Sequence, residues 1–167
     1  FMLVGVEAAS AKGTSSTLFY LLAYTFMSVG SFGVVTLIGR TGDGRHQLSD
    51  YRGLSKARPG LALLFTVFLL AQAGTPFTAG FVAKFGVIQA AADQSQWALA
   101  SVAMLTAVIS TFMYLRIVVA MYFEGSGDHG EAAVFDGPAV VIPRSAAVAL
   151  GIALIGTIGL GLFPGPA

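Results

Sequence analysis

The feature that most constrains this chain is the run from Pro59 to Ala92, in which Lys84 is the only ionisable side chain. As one straight helix it would extend about 51 Å, well beyond a hydrocarbon core of about 30 Å. It must therefore form two elements or one interrupted membrane helix. Gly74, Thr75 and Pro76 mark the interruption. Pro76 has no N–H to donate to the carbonyl of Gln72, and its ring clashes with that carbonyl. Gly80 is expected to loosen the chain again one turn before Lys84, giving a break over 74–80 and a second half-helix over Phe81–Ala92. A broken span that carries a lysine at membrane depth is a candidate functional site.

Composition places the chain in lipid. Hydrophobic residues make up 56% of it and charged residues 10%, against roughly 25% charged in soluble domains, and the mean hydropathy is +0.81. The formal net charge of +1 says little, because all the charges but Lys84 and Arg116 lie in the connections. With no cysteine, disulfides, thiolate metal sites and cysteine-ligated iron–sulfur clusters are excluded. His46 and His129 both stand in polar segments, so haem inside a bundle is not expected, and both read as loop residues. The chain opens Phe-Met-Leu-Val-Gly-Val, without a charged n-region or an initiating Met. That is not a signal peptide. It reads as the last turns of a helix begun upstream, so the 167 residues are expected to be a fragment.

Four spanning elements follow, over 17–39, 59–92, 97–123 and 145–163, all in one transmembrane domain. Ser15, Ser16 and Thr17 supply N-cap chemistry for the first. Its small residues Ser28, Gly30, Ser31 and Gly33 invite close helix packing. Leu48–Ser55 reads as a short surface segment, and Trp97 stands where an interfacial anchor is usual. The connections at 40–58 and 124–144 hold Arg40, Arg45, Arg52, Lys56, Arg58 and Arg144, whereas the opposite side holds only Lys12. The positive-inside rule puts the first pair in the cytoplasm. The broken run then crosses once. The basic loop lacks the aromatic platforms or folded module that nucleic-acid binding requires.

Lys84 is the residue most suited to chemistry. Desolvation and the positive end of the second half-helix both work against its ammonium form, while carbonyls freed near Gln72–Gly74 work for it. A lysine poised between these influences can accept and release a proton; the alternative is a lysine that only snorkels toward the interface. Arg116, in the third span, holds its proton too firmly for a relay and suits anchoring or pairing. Gln72, Thr75 and Thr78 either hydrate the break or satisfy its freed backbone. Phe112, Tyr114, Tyr122 and Phe123 read as packing rather than a quinone site. No phosphate-binding glycine loop, nucleophile–base pair or metal-ligand spacing is present.

The segments LFYLLAYTFMSVGSFGVV, LSDYRGL, FLLAQAGTPFTAGFVAKF, FMYLRIVVAMYF and GLFPGP, in this order, resemble the C-terminal part of the antiporter-like membrane subunits of respiratory complex I. DYRGL favours the subunit N branch, the bacterial counterpart of subunit 2. The resemblance implies an all-α, polytopic fourteen-helix fold of two inverted repeats, each with a discontinuous helix. Lys84 matches the essential ionisable residue of the second discontinuous helix, at the end of a hydrophilic axis. The glutamate and lysine partners of that axis belong to the first repeat and have no counterpart here.

The implied function is proton translocation as part of an NADH–quinone oxidoreductase in the bacterial plasma membrane, beside subunits of the M and K types. Flavin, iron–sulfur clusters and quinone would be held by partner subunits, and no cofactor by this chain. Gln72 and Phe77 depart mildly from the usual pattern. The alternatives are a subunit of a multi-component cation/proton antiporter of the same fold, and a structural bundle in which Lys84 only anchors.

Overall fold

A computed structural model describes residues 1–39, 48–123 and 142–163. The regular elements among them are helical: α1 Met2–Glu7, α2 Ala11–Gly39, a 3-10 turn at Leu48–Tyr51, α3 Leu54–Ala57, α4 Pro59–Ala73, α5 Ala79–Asp93, α6 Trp97–Tyr122 and α7 Arg144–Leu162. The all-α architecture that the family resemblance implies is the one observed among the described residues. Three helices, α2, α6 and α7, are each long and apolar enough to cross a membrane. At 15 residues apiece, α4 and α5 reach only about 22 Å each.

The two short helices share one traverse of the bundle. At one end, Ser55 Oγ donates to the Met121 carbonyl at 2.9 Å and ties the approach to α4 to the end of α6. At the other end, Lys12 pairs with Asp93 at 2.6 Å, and Gln96 Nε2 donates to the Glu7 carbonyl at 3.0 Å. So α4 starts where α6 finishes, and α5 finishes where α2 and α6 start.

Two buried clusters flank the break. One is built of large side chains, with Phe65, Phe68 and Leu69 of α4 against Val34 and Ile38 of α2. The other uses small ones, with Ala79, Ala83 and Val87 of α5 against Ala23 and Met27 of α2. Large side chains hold α4 in place by volume, and alanines let the α5 backbone approach α2 closely. The ring of Phe68 lies over Gly30 and Leu150 lies against Gly33, where the small residues of α2 leave room. Most of α6 turns large apolar side chains outward, including Val102, Leu105 and Val108, as suits a helix bordered by lipid or further protein.

Three local expectations are corrected. First, α2 begins at Ala11 rather than at residue 17. Ser10 is its cap, accepting the Gly13 N–H on Oγ at 3.0 Å, while Ser16 and Thr17 lie buried inside the helix. Second, Leu48–Ser55 is not a surface segment. Leu54 is fully buried in the large-residue core, and Tyr51 lies 5.8 Å from the ring of Phe65. Third, the helical break covers 74–78 and not 74–80, since α5 already begins at Ala79.

Candidate functional site at the helix break

The last four carbonyls of a helix have no regular partner within it, and at the end of α4 those of Leu70, Ala71, Gln72 and Ala73 are all met by the turn or by Lys84. Gly74 adopts φ +96°, left-handed backbone that glycine enters without a Cβ penalty. The chain then folds back in a Schellman turn. The Gly74 N–H reaches the Ala71 carbonyl at 3.1 Å, and the Thr75 N–H reaches that of Leu70 at 3.0 Å. Thr75 Oγ1 also donates to the Leu70 carbonyl, at 2.9 Å. Pro76 follows and cannot resume the helix. Thr78 then occupies the N-cap position of α5 in extended backbone, with its hydroxyl on the Thr75 carbonyl at 2.6 Å. Between them Phe77 sits at φ 68°, a left-handed conformation that costs a bulky residue of the order of 1–2 kcal/mol.

The two remaining carbonyls, of Gln72 and Ala73, receive Lys84. Its Nζ donates to the Gln72 oxygen at 2.7 Å and to the Ala73 oxygen at 3.0 Å. The cation therefore sits at the negative end of the α4 dipole. Gly80 makes the reach possible. It lies in the first turn of α5 against the Ala71 carbonyl, in a space that any Cβ would invade. Its part is close approach, not the loosening expected of it. Lys84 is half-buried, and the Phe1 ring stands 5.4 Å from its ammonium, within cation–π range.

Gln72 ties this seat to α2. Its Nε2 donates to Ser31 Oγ at 2.7 Å and to the Met27 carbonyl at 3.1 Å. Of the three polar residues noted at the break, Thr75 and Thr78 thus satisfy freed backbone, whereas Gln72 bridges two helices. From the other side, Thr111 Oγ1 on α6 donates to the Ala73 carbonyl at 3.1 Å. Lys84 and Thr111 line a groove of about 380 Å³ whose walls include Phe81, Phe85, Met104 and Val108. Thr111 and Ser31 carry no distinguishing sequence signal, because their neighbours arise only when α6 and α2 meet α4.

Arg116 lies exposed on α6, outside the residues that line the groove. The four aromatics do not pack together as expected. Phe112 and Phe123 are 66% and 73% exposed, on the outward side of α6, and only Tyr114 packs against the core. Tyr122 instead accepts a hydrogen bond from Thr66 at 3.4 Å. Trp97 is the first residue of α6 and is exposed. His46 and His129 lie outside the described residues.

Comparison with known proteins adds the context. The chain is 44% identical to NADH-quinone oxidoreductase subunit N 3 of Streptomyces griseus, over 98% of this chain and 28% of that protein. It is 42% identical to subunit N of Saccharopolyspora erythraea, over 98% of this chain and 31% of that one. It therefore spans less than a third of these relatives. Among solved structures, respiratory complex I from Thermus thermophilus matches with a TM-score of 0.77 and 28% identity, over 98% of this chain and 35% of the other. The Mrp complex from Dietzia sp. DQ12-45-1b matches with the same TM-score of 0.77 at 24% identity, over 98% and 37%, and this second likeness shows the fold alone. The family described as NADH:quinone oxidoreductase/Mrp antiporter, TM, matches residues 1–110. On that match this chain belongs to the family of antiporter-like membrane subunits common to NADH:quinone oxidoreductases and Mrp antiporters.

Proposed function

We propose that this chain is part of a proton-translocating membrane subunit of an NADH–quinone oxidoreductase, with Lys84 as its proton relay. The observation that carries the reading is the ammonium of Lys84 bridging the Gln72 and Ala73 carbonyls at the broken helix. Among the described residues no carboxylate pairs with Lys84; its charge is met by backbone dipoles and a ring face. Neutral partners of this kind let a charge be given up without leaving an orphaned counter-ion. The magnitudes agree. A hydrogen bond to a charged group contributes about 1.5–3 kcal/mol, and moving one proton against 100 mV costs about 2.3 kcal/mol. The hydrogen bonds of the seat are therefore on the scale of the work done on one proton.

In this reading the redox chemistry lies in partner subunits, the neighbours are other membrane-arm subunits of the M and K types, and the membrane is the bacterial plasma membrane with 40–58 cytoplasmic. The rival reading, a subunit of a cation/proton antiporter, draws on the breadth of the matched family. Neighbouring genes separate the two: quinone-reductase subunits for one, small antiporter subunits for the other.

The test is NADH-driven proton uptake by inverted membrane vesicles carrying Lys84→Ala or Lys84→Arg in the complete subunit. Both variants are expected to assemble and to lose most of the uptake. Arginine keeps the charge but holds its proton far more tightly. Full uptake by both variants, with normal assembly, would sink the relay.

A further inference from the structure

We propose that Thr111 is a positioning residue for Lys84, a standby donor that keeps the Ala73 carbonyl paired when the lysine leaves its seat; the inference rests on the relay reading above. The Thr111 hydroxyl lies 3.1 Å from the Ala73 oxygen and 2.8 Å from the Ala107 oxygen. It has one hydrogen to give. The Ala107 oxygen lies four residues back within α6, where the helix supplies it with the backbone N–H of Thr111 itself. It does not need the hydroxyl. The Ala73 oxygen is different. It belongs to the unpaired end of α4 and, among the described residues, receives only Lys84 Nζ and Thr111 Oγ1.

Other hydroxyls on the same helix show that this placement is not general. Thr106 and Ser110 bond back to the Val102 and Thr106 carbonyls, the usual habit of Thr and Ser in helices. Of the three, only Thr111 also reaches α4. With Lys84 seated, the hydroxyl is shared between two oxygens. With Lys84 gone, it turns wholly to Ala73, and the departure leaves one carbonyl of the seat paired instead of none. A buried carbonyl without a donor is costly, so removing the hydroxyl penalises the unseated state and slows each cycle that passes through it.

The experiment compares Thr111→Val and Thr111→Ser in the complete subunit, assembled in its membrane complex, by NADH-driven proton uptake into inverted vesicles. Valine keeps the shape and removes the donor; serine keeps the donor. The expected result is uptake slowed about threefold to tenfold by valine and restored to within about twofold by serine. Wild-type uptake with valine, or serine as slow as valine, overturns the role of Thr111 while leaving Lys84 untouched. Full uptake in Lys84→Ala removes the relay itself, and the present inference with it. If the valine variant does not assemble, Thr111→Ala takes its place. Failure of both to assemble, with serine assembling normally, would make the hydroxyl a folding requirement and would also overturn the proposal.

Discussion

The side-chain amide of Gln72 donates to Ser31 Oγ at 2.7 Å, while its backbone oxygen holds the Lys84 ammonium at the same distance. One residue thus fixes the lysine's seat with its main chain and anchors that seat to α2 with its side chain. Ser31 in turn donates to the Met27 carbonyl at 2.7 Å, so the three groups form a closed network. Replacing Gln72 by Leu removes two hydrogen bonds at about 0.5–1.5 kcal/mol each. Gln72→Leu is expected to lower the denaturation midpoint of the solubilised complex and to slow proton uptake several-fold. Ser31→Ala also removes two bonds of the network, its acceptance from Gln72 and its donation to Met27, and is expected to lower the midpoint by a similar amount. An unchanged midpoint in both would show that the network contributes nothing.

Gly80 and Gly60 are both helical glycines, and they are expected to respond oppositely to alanine. At Gly80 a Cβ would run into the Ala71 carbonyl, with Met27 Sδ close behind. Backbone cannot yield as a flexible side chain does, so Gly80→Ala is expected to push α5 away from α4 at a cost of about 1–3 kcal/mol. At Gly60 nothing lies within 4 Å, and Gly60→Ala is expected to be neutral or stabilising by up to about 1 kcal/mol. Native-gel assembly and thermal denaturation of the two variants side by side check both signs.

The ion pair between Lys12 and Asp93 is short at 2.6 Å, but both side chains are close to half exposed. Exposed pairs of this kind are worth about 0–1 kcal/mol. Lys12→Ala and Asp93→Asn are therefore expected to assemble normally, to keep proton uptake within about twofold, and to differ from the parent less in high salt than in low. A large loss of uptake in either, with assembly intact, would give this end of the bundle a functional part that its geometry does not suggest.

What could be read from the chain alone follows the range of the forces involved. The break at Gly74-Thr75-Pro76 was legible because a missing N–H and a ring clash act within one turn. The lysine's carbonyl partners were legible for the same reason, since freed carbonyls must lie just before the break. Thr111 and Ser31 were not. Their partners are 38 and 41 residues away in sequence, and many threonines and serines in these spans share their local setting. The start of α2 is hidden in the sequence because Ser10 and Ser15 offer the same capping chemistry, and the choice between them depends on α1, against which Thr17 is buried beside Gly5. The polar letters around Leu54 hide its burial, because Leu48, Tyr51 and Leu54 recur at every third position over too short a stretch for the period to reveal which side faces the core.

Gly74 serves both the turn and the lysine's seat, since its φ of +96° ends α4 and aims the Gln72 and Ala73 carbonyls at Lys84. A Cβ at this position would stand 3.4 Å from Lys84 Cδ and 3.6 Å from Nζ, ordinary contact that displaces nothing. The penalty of Gly74→Ala is therefore conformational, about 1–2 kcal/mol for left-handed backbone. Asparagine tolerates that region better, so Gly74→Asn is expected to recover part of the loss. The expected order in both denaturation midpoint and proton uptake is Gly, then Asn, then Ala. Should alanine match the parent in midpoint, the Schellman turn would not need its glycine. Should it match only in uptake, the turn would serve stability alone, and the aim of the two carbonyls would have to be set by Gln72 and Thr111.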